Sequence, residues 1–387
     1  MRQPNSSGAS GSGKFSGLTD IKISLYLHSK NAGSPVSLDP MEGSPMQQPA
    51  PDNPIDALIA EKGILLADGA TGTNLFAMGL ESGEAPELWN EDAPEKIEAL
   101  HQGFVDAGAD IILTNSFGGT RHRLKLHNAQ DRVFELNRKA AEIACRVAGQ
   151  AGRRVIVAGS VGPTGELLVP LGALTYEEAV EAFAEQMEGL KAGGAEVAWI
   201  ETMSAPDEIR AAAEAAIRVG LPYTYTGSFD TAGRTMMGLA PKDIHTVVDD
   251  LGQSPVAVGA NCGVGAPDIL AALLDMTEAR PDATVVVKGN CGIPEFRGTE
   301  VHYSGTPELM SEYVRLAVDG GARIIGGCCG TSFEHLAAMR AALDGHREPE
   351  NRPGIEDIVA RVGPLRNKSA SESGAGTGTR RSRRARG

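Results

Sequence analysis

The sequence predicts a (β/α)8 barrel. Three observations carry that prediction: eight short apolar runs, an amphipathic and often Ala-rich segment after each, and glycine with polar side chains where each run ends. A parallel strand buried on both faces reads as an unbroken apolar run, whereas a crossover helix reads with a 3.6-residue period. The rival is a doubly wound open sheet, which more often has about five to seven strands and carries a phosphate fingerprint at its first turn. Eight repeats of strand followed by helix favour the closed barrel.

The elements follow in order. Strand 64–67 runs into Asp68-Gly69-Ala70-Thr71-Gly72, and a helical pattern covers 94–107. Strand 110–114 ends at Asn115-Ser116-Phe117-Gly118, before helix 132–148. Strand 155–159 leads to Ser160-Val161-Gly162-Pro163-Thr164-Gly165 and helix 176–192. Strand 196–201 closes on Glu201-Thr202, then helix 206–219 returns to strand 222–227 and Ser228-Phe229-Asp230. Helix 241–251 precedes strand 256–261, which ends at Asn261-Cys262-Gly263. Helix 267–278 precedes strand 283–288 and Gly289-Asn290-Cys291-Gly292. Helix 307–319, strand 323–326, Gly327-Cys328-Cys329-Gly330 and helix 334–343 complete the pattern. Proline opens several helices and Gly108, Gly193, Gly220 and Gly320 close others, the expected start and stop chemistry. All eight strand ends would then line one mouth, where barrel active sites lie.

Residues 1–54 are rich in Ser, Gly, Pro and Asn and are expected to be a disordered extension, with Met41 and Met46 as alternative start sites. The barrel is expected over 55–364, and 365–387 is expected to be a disordered basic tail. The formal net charge of −14 makes a poor nucleic-acid binder. No apolar stretch reaches about 18 residues, so no membrane span is expected. Five cysteines in a long chain without a secretory signal point to a reducing cytoplasm and to metal-binding or catalytic thiols.

Those thiols are the sharpest chemical signal. Adjacent Cα atoms sit about 3.8 Å apart, too close for an easy disulfide between Cys328 and Cys329. Two thiols at the last strand end and Cys262 at the sixth can converge on one point, because only one strand separates them. A three-sulfur cup with a vacant position is how zinc is held when it must also bind a substrate. Cys291, on the strand between, competes as a ligand, and the Asn290 side-chain oxygen can reach the vacant position. Cys145 falls inside a helix and reads as packing. Glu201 and Asp68 each follow an apolar strand and can pair with a substrate ammonium, while the Asp68–Gly72 backbone can cradle an anion.

The motifs Asp68-Gly69-Ala70-Thr71-Gly72-Thr73, Thr114-Asn115-Ser116-Phe117, Gly162-Pro163-Thr164-Gly165, Ile200-Glu201-Thr202, Asn261-Cys262 and Gly326-Gly327-Cys328-Cys329-Gly330-Thr331 resemble the homocysteine S-methyltransferases. That family includes betaine–homocysteine methyltransferase and the homocysteine-binding domain of cobalamin-dependent methionine synthase. The resemblance spans about residues 60–345. It implies a (β/α)8 barrel, zinc on Cys262, Cys328 and Cys329, and Glu201 with Asp68 at the homocysteine amino group. Gly69, Ser116, Phe117 and Asn290 are the further substrate-site residues expected. The family pattern has no cysteine at Cys291, which leaves it outside the metal set.

The methyl donor is less legible. Betaine calls for an aromatic cage, yet aromatic residues make up only 4% of the chain, and Gly118 and Thr202 stand where betaine-using relatives carry tyrosine. Trp89 and Phe117 are the aromatic candidates at the mouth. A methyl group carried on a corrinoid protein partner is therefore favoured, with betaine or a methylsulfonium compound as alternatives. A non-catalytic homocysteine- or zinc-binding subunit is a rival reading. A zinc hydrolase is another, disfavoured because no histidine ends any of the eight strands.

Overall fold

Short Val- and Ile-rich runs flanked by glycine have nowhere to go but the inside of a sheet, and here they pair in one continuous ladder. The computed structural model describes residues 53–292, 294–297, 300–347 and 351–367, with backbone alone for 294–297 and 300–302. The barrel strands are β1 (Leu65–Leu66), β2 (Ile111–Leu113), β3 (Ile156–Val161), β4 (Val197–Met203), β5 (Tyr223–Gly227), β6 (Ala257–Cys262), β7 (Val285–Gly289) and β10 (Ile324–Gly327). They pair in parallel in the order β1-β10-β7-β6-β5-β4-β3-β2. A parallel bridge between Ala67 and Ile111 brings β1 back to β2. The expected (β/α)8 barrel is thus present, with every strand where the apolar runs placed it.

Helices cover the outside: α1 (Pro54–Lys62), α2 (Thr71–Ala77), α3 (Trp89–Asp92), α4 (Pro94–Asp106), α5 (Arg121–Leu124), α6 (Val133–Gln150), α7 (Tyr176–Ala192), α8 (Pro206–Val219), α9 (Ala266–Ala279), α10 (Pro307–Asp319), α11 (Phe333–Asp344) and α12 (Ile355–Val362). One expected helix is cut short. Only a 3-10 turn over Pro241–Thr246 forms in the 241–251 window, because Thr246, Val247 and Val248 are consecutive β-branched residues and Asp249-Asp250 follows them. An antiparallel hairpin, β8 (Pro294–Arg297) with β9 (Glu300–Tyr303), follows β7 and was not foreseen.

Two large apolar cores result, with a small third cluster of Leu124, Ala129, Val133 and Leu136 beside them. One lies between the sheet and the helix ring. The other fills the barrel, where Trp199, Ile156, Val286 and Ile324 interdigitate with Ile55 and Leu58 of α1. Helix α1 therefore plugs the end of the barrel opposite the strand C-termini. Asn53 caps it, accepting from the Ile55 amide at 3.0 Å. The expected extension 1–54 overlaps this helix at Asn53 and Pro54; residues 1–52 and 368–387, including most of the expected tail, lie outside the described residues. At the other end of the barrel chain, the Arg366 and Asn367 amides donate to the Asp268 carboxylate.

Gly259 shows how tightly the ladder is drawn. A Cβ there would sit 1.7 Å from the Val286 carbonyl oxygen on the neighbouring strand. Backbone cannot yield as a side-chain tip would. Gly259→Ala should therefore destabilise the barrel by about 1–3 kcal/mol or more, read as a lower denaturant midpoint at unchanged slope; an unchanged midpoint would show that β6 and β7 can separate.

Candidate active site

Two strand ends supply the sulfur cluster, and a third braces it. Strand β6 terminates in Cys262, whose φ of +61° turns its side chain out of the pleat, and Gly263 follows at +72°. Strand β10 terminates in Gly327, directly before Cys328 and Cys329. Gly330 is required next: its φ is +81° and a Cβ would lie 2.3 Å from the Tyr303 ring. The three Sγ atoms all lie within 4.8 Å of one another.

Strand β7 braces them from between. The Cys328 amide donates to the Gly289 carbonyl at 2.7 Å, and Cys291 donates to the Cys329 carbonyl at 2.9 Å. Asn290 spans both loops: its oxygen accepts from the Cys329 amide at 3.1 Å. Its nitrogen donates to Gly263 O at 2.8 Å and faces Cys262 Sγ at 3.7 Å. That oxygen is occupied by backbone, so Asn290 acts here as a brace between the two cysteine loops. Asn261 does the same one layer lower, accepting from Thr202 N at 2.8 Å and Thr226 Oγ1 at 2.6 Å. Its amide nitrogen donates to Thr202 Oγ1 at 2.7 Å. Thr202 is itself left-handed, at φ +63°. Thr202, held by Asn261, and Cys262, faced by Asn290, are two non-glycine residues in that region, strain of the kind that clusters at functional sites.

The donor set is one a metal dication fits. For Cys262 a hydrogen bond with Cys328 favours the thiolate, but the bond with Cys329 and burial outweigh it and push the thiol up to about 11. For Cys329 the bond with Cys262 is likewise outweighed by Cys328 and burial, at about 12. The bond with Cys262 and burial raise Cys328 further. Three crowded thiols hold their protons until a cation offsets the repulsion, as zinc does. Cys291 is fully buried in the apolar core, and burial raises it to about 12; it stands apart from the cluster. Cys145, on α6, donates to Gly194 O at 3.3 Å and packs beside the outer core.

Below the sulfurs lies a charged floor. Glu201, at the end of β4, is 8% exposed and accepts from Ser160 Oγ at 2.6 Å. Burial raises its pKa, against the opposing charge of Lys288. Asp68 is 1% exposed and its carboxylate is already committed: Lys288 Nζ at 2.7 Å and the Leu113 amide at 2.7 Å. Lys288, 2% exposed on β7, also stands 5.9 Å above the Trp199 ring. Burial alone would lower its pKa, but the charges of Asp68 and Glu201 prevail and hold it protonated.

Floor and sulfurs open into a cavity of about 940 Å³, lined by Gly69, Ser116, Phe117, Glu201, Lys288 and the three cysteines among others. Ser116 is buried, donating to Ser160 O at 2.7 Å. Phe117 is 38% exposed at the mouth, with Phe76, 53% exposed, and Tyr303, which donates to Cys329. Trp89 is not there: it is packed in the outer core with Lys96 Nζ 4.2 Å above its ring. The mouth aromatics are thus Phe76, Phe117 and Tyr303, two of which the sequence reading overlooked. Lys288 was overlooked too, although a lysine closing Val285-Val286-Val287 carries the same signal as a glutamate closing an apolar strand.

The chain is similar to known proteins in both sequence and fold. The sequence model of the homocysteine S-methyltransferase family matches residues 65–343. The chain is 30% identical over 315 residues to methionine synthase of Mycobacterium tuberculosis, covering 77% of this chain and 26% of that protein. It is 28% identical over 298 residues to methionine synthase of Mycobacterium leprae, covering 72% and 24%. The chain thus spans about a quarter of the length of these curated relatives. Among solved structures, the metallated form of the homocysteine methyltransferase MmuM from Escherichia coli superposes with a TM-score of 0.62 at 27% identity, covering 75% of this chain and 99% of that one. Its oxidized form gives 0.63 at 26% identity, with the same coverage. With a family match across the barrel and the sulfur cluster at its mouth, the chain belongs to the homocysteine S-methyltransferase family.

Proposed function

We propose that the chain transfers a methyl group from a small onium donor, a methylsulfonium compound or betaine, to homocysteine, with zinc held by Cys262, Cys328 and Cys329. The observation that carries this reading is the placement of three mutually close sulfurs beside a buried carboxylate in one cavity. Zinc at three thiolates supplies an open coordination position and lowers the pKa of an incoming thiol, which otherwise lies near 8.5 for the cysteine analogue. The chain's residues do the rest. Glu201 offers its carboxylate to the substrate ammonium, held in place by Ser160. Tyr303 donates to Cys329, and Phe117 lines the same cavity. The substrate sulfur attacks the methyl carbon in line, and the electron pair of the breaking bond remains on the donor.

For the donor, exposed rings of Phe76 and Phe117 at the mouth supply the faces that a sulfonium or quaternary ammonium prefers. A cavity of this size is also one that small molecules fill. A second reading, in which the methyl group arrives on a corrinoid carried by a partner protein, rests on the resemblance of the motifs to the homocysteine-binding domain of cobalamin-dependent methionine synthase.

Metal analysis should find one zinc per chain, lost in Cys262→Ala or Cys328→Ala and retained in Cys291→Ala. Zinc that survives Cys262→Ala but not Cys291→Ala would overturn the ligand set.

The donor is read by mixing zinc-loaded protein and homocysteine with S-methylmethionine, dimethylsulfoniopropionate, betaine or methylcobalamin and measuring methionine. Turnover is expected with at least one onium donor. Phe117→Leu should then lower kcat/KM for it by a few-fold to about 30-fold, the range of a cation–π contact of roughly 0.5–2 kcal/mol, while homocysteine affinity is kept. Methionine formed from methylcobalamin alone would move the chain to the corrinoid reading.

A further inference from the structure

Cys262, Cys328 and Cys329 leave the amino-acid end of the substrate to the floor of the cavity, and the charges there are not the expected ones. Two carboxylates close to a substrate would select a cation. The structure instead places one carboxylate and one ammonium on the cavity wall: Glu201 and Lys288 both line it. Asp68 does not; it lies behind, bound to Lys288 and to the Leu113 amide. Glu201 and Lys288 each feel the other's charge.

We propose that Lys288 is the residue that reads the substrate α-carboxylate, with Asp68 as its structural counter-ion and Glu201 alone as the ammonium partner. An α-amino acid carries ammonium and carboxylate on the same carbon, so its two readers must be near neighbours of opposite sign. Glu201 and Lys288 meet that condition in a buried floor, where unpaired charge is costly and a matched zwitterion is favoured. The obvious alternative carboxylate site, the backbone after β1, is partly spent: the Asp68 amide donates to Ile111 O at 3.0 Å and the Ala70 amide to Thr331 O at 3.1 Å. Asp68 also fixes the ammonium laterally, since a lysine with one bound carboxylate keeps two further donors for a ligand. Lys288 thereby makes the pocket selective for a zwitterionic thiol over a thiol bearing only an amine.

The inference rests on homocysteine being the thiol substrate, and its test separates the two claims. Zinc-loaded protein is titrated calorimetrically with homocysteine, with 3-aminopropane-1-thiol, which lacks the carboxylate, and with 4-mercaptobutanoic acid, which lacks the ammonium. Lys288→Met leaves Asp68 buried and unpaired and can fail to fold, so Lys288→Met/Asp68→Asn, which removes both charges together, is measured beside it. In the double variant homocysteine should bind about 10- to 150-fold more weakly, the cost of a lost charge-assisted hydrogen bond. Binding of 3-aminopropane-1-thiol should be unchanged or tighter, because it never used Lys288. Glu201→Gln should show the mirror pattern, weakening homocysteine and 3-aminopropane-1-thiol but sparing 4-mercaptobutanoic acid. Equal weakening of homocysteine and 3-aminopropane-1-thiol in the double variant would make Lys288 merely structural and overturn the proposal. Failure of the unsubstituted protein to bind homocysteine would overturn both the proposal and the substrate on which it rests.

Discussion

The convergence of three sulfurs is the constraint around which this mouth is built. Cys262 ends one strand and Cys328 and Cys329 follow another, with β7 between them. Sulfur atoms two strands apart meet only if the intervening strand end is drawn back and the flanking loops lean over it. Asn290 performs that bridging, taking the Cys329 amide on its oxygen and giving its nitrogen to the Gly263 carbonyl. The left-handed Cys262 and Gly330 turn the side chains inward, at a backbone cost of order 1–3 kcal/mol for the non-glycine residue. The ladder of the barrel bears that cost, since a strand end hydrogen-bonded on both sides has few other places to go.

Charge is organised in layers beneath this cluster. Trp199 and the aliphatic interior form a dry base, closed from below by Ile55 and Leu58. On it rests the Asp68, Lys288 and Glu201 layer, and above that the thiols. Each layer makes the next workable. The apolar base prevents water from screening the ion pair, the ion pair leaves Glu201 facing the cavity, and the cavity opens toward Phe76 and Phe117. A buried lysine between two carboxylates also limits the negative charge near a cluster of thiols that must ionise to hold a metal.

The chain belongs to the homocysteine S-methyltransferase family, and its cavity carries Lys288, Phe76 and Phe117 beside the three cysteines and Glu201. The match to MmuM covers 99% of that protein, whereas the methionine synthases extend well beyond the matched barrel. The barrel is thus the part that this chain shares with both.

How much was readable in advance follows from the range of the forces involved. Strand and helix places are local properties: apolar runs, proline starts and glycine stops specify Tyr176–Ala192 or Pro206–Val219 without reference to any other part of the chain. The cysteine motif is local too, because two adjacent thiols flanked by glycine have little structural use. The helix expected over 241–251 failed because β-branched residues in its second half outweighed its amphipathic pattern. What the sequence could not decide is which charges pair. Asp68 and Lys288 are 220 residues apart, and each alone reads as a free group at a strand end. Only barrel closure, which sets β1 beside β10 and β10 beside β7, brings them to 2.7 Å. The same closure turns Trp89 into the outer core and Phe76 to the mouth. By itself the sequence determined the barrel, the cysteine motif and the protein family; the tertiary structure decided the partners of each buried charge, because electrostatic pairing acts between neighbours in space whatever their separation along the chain.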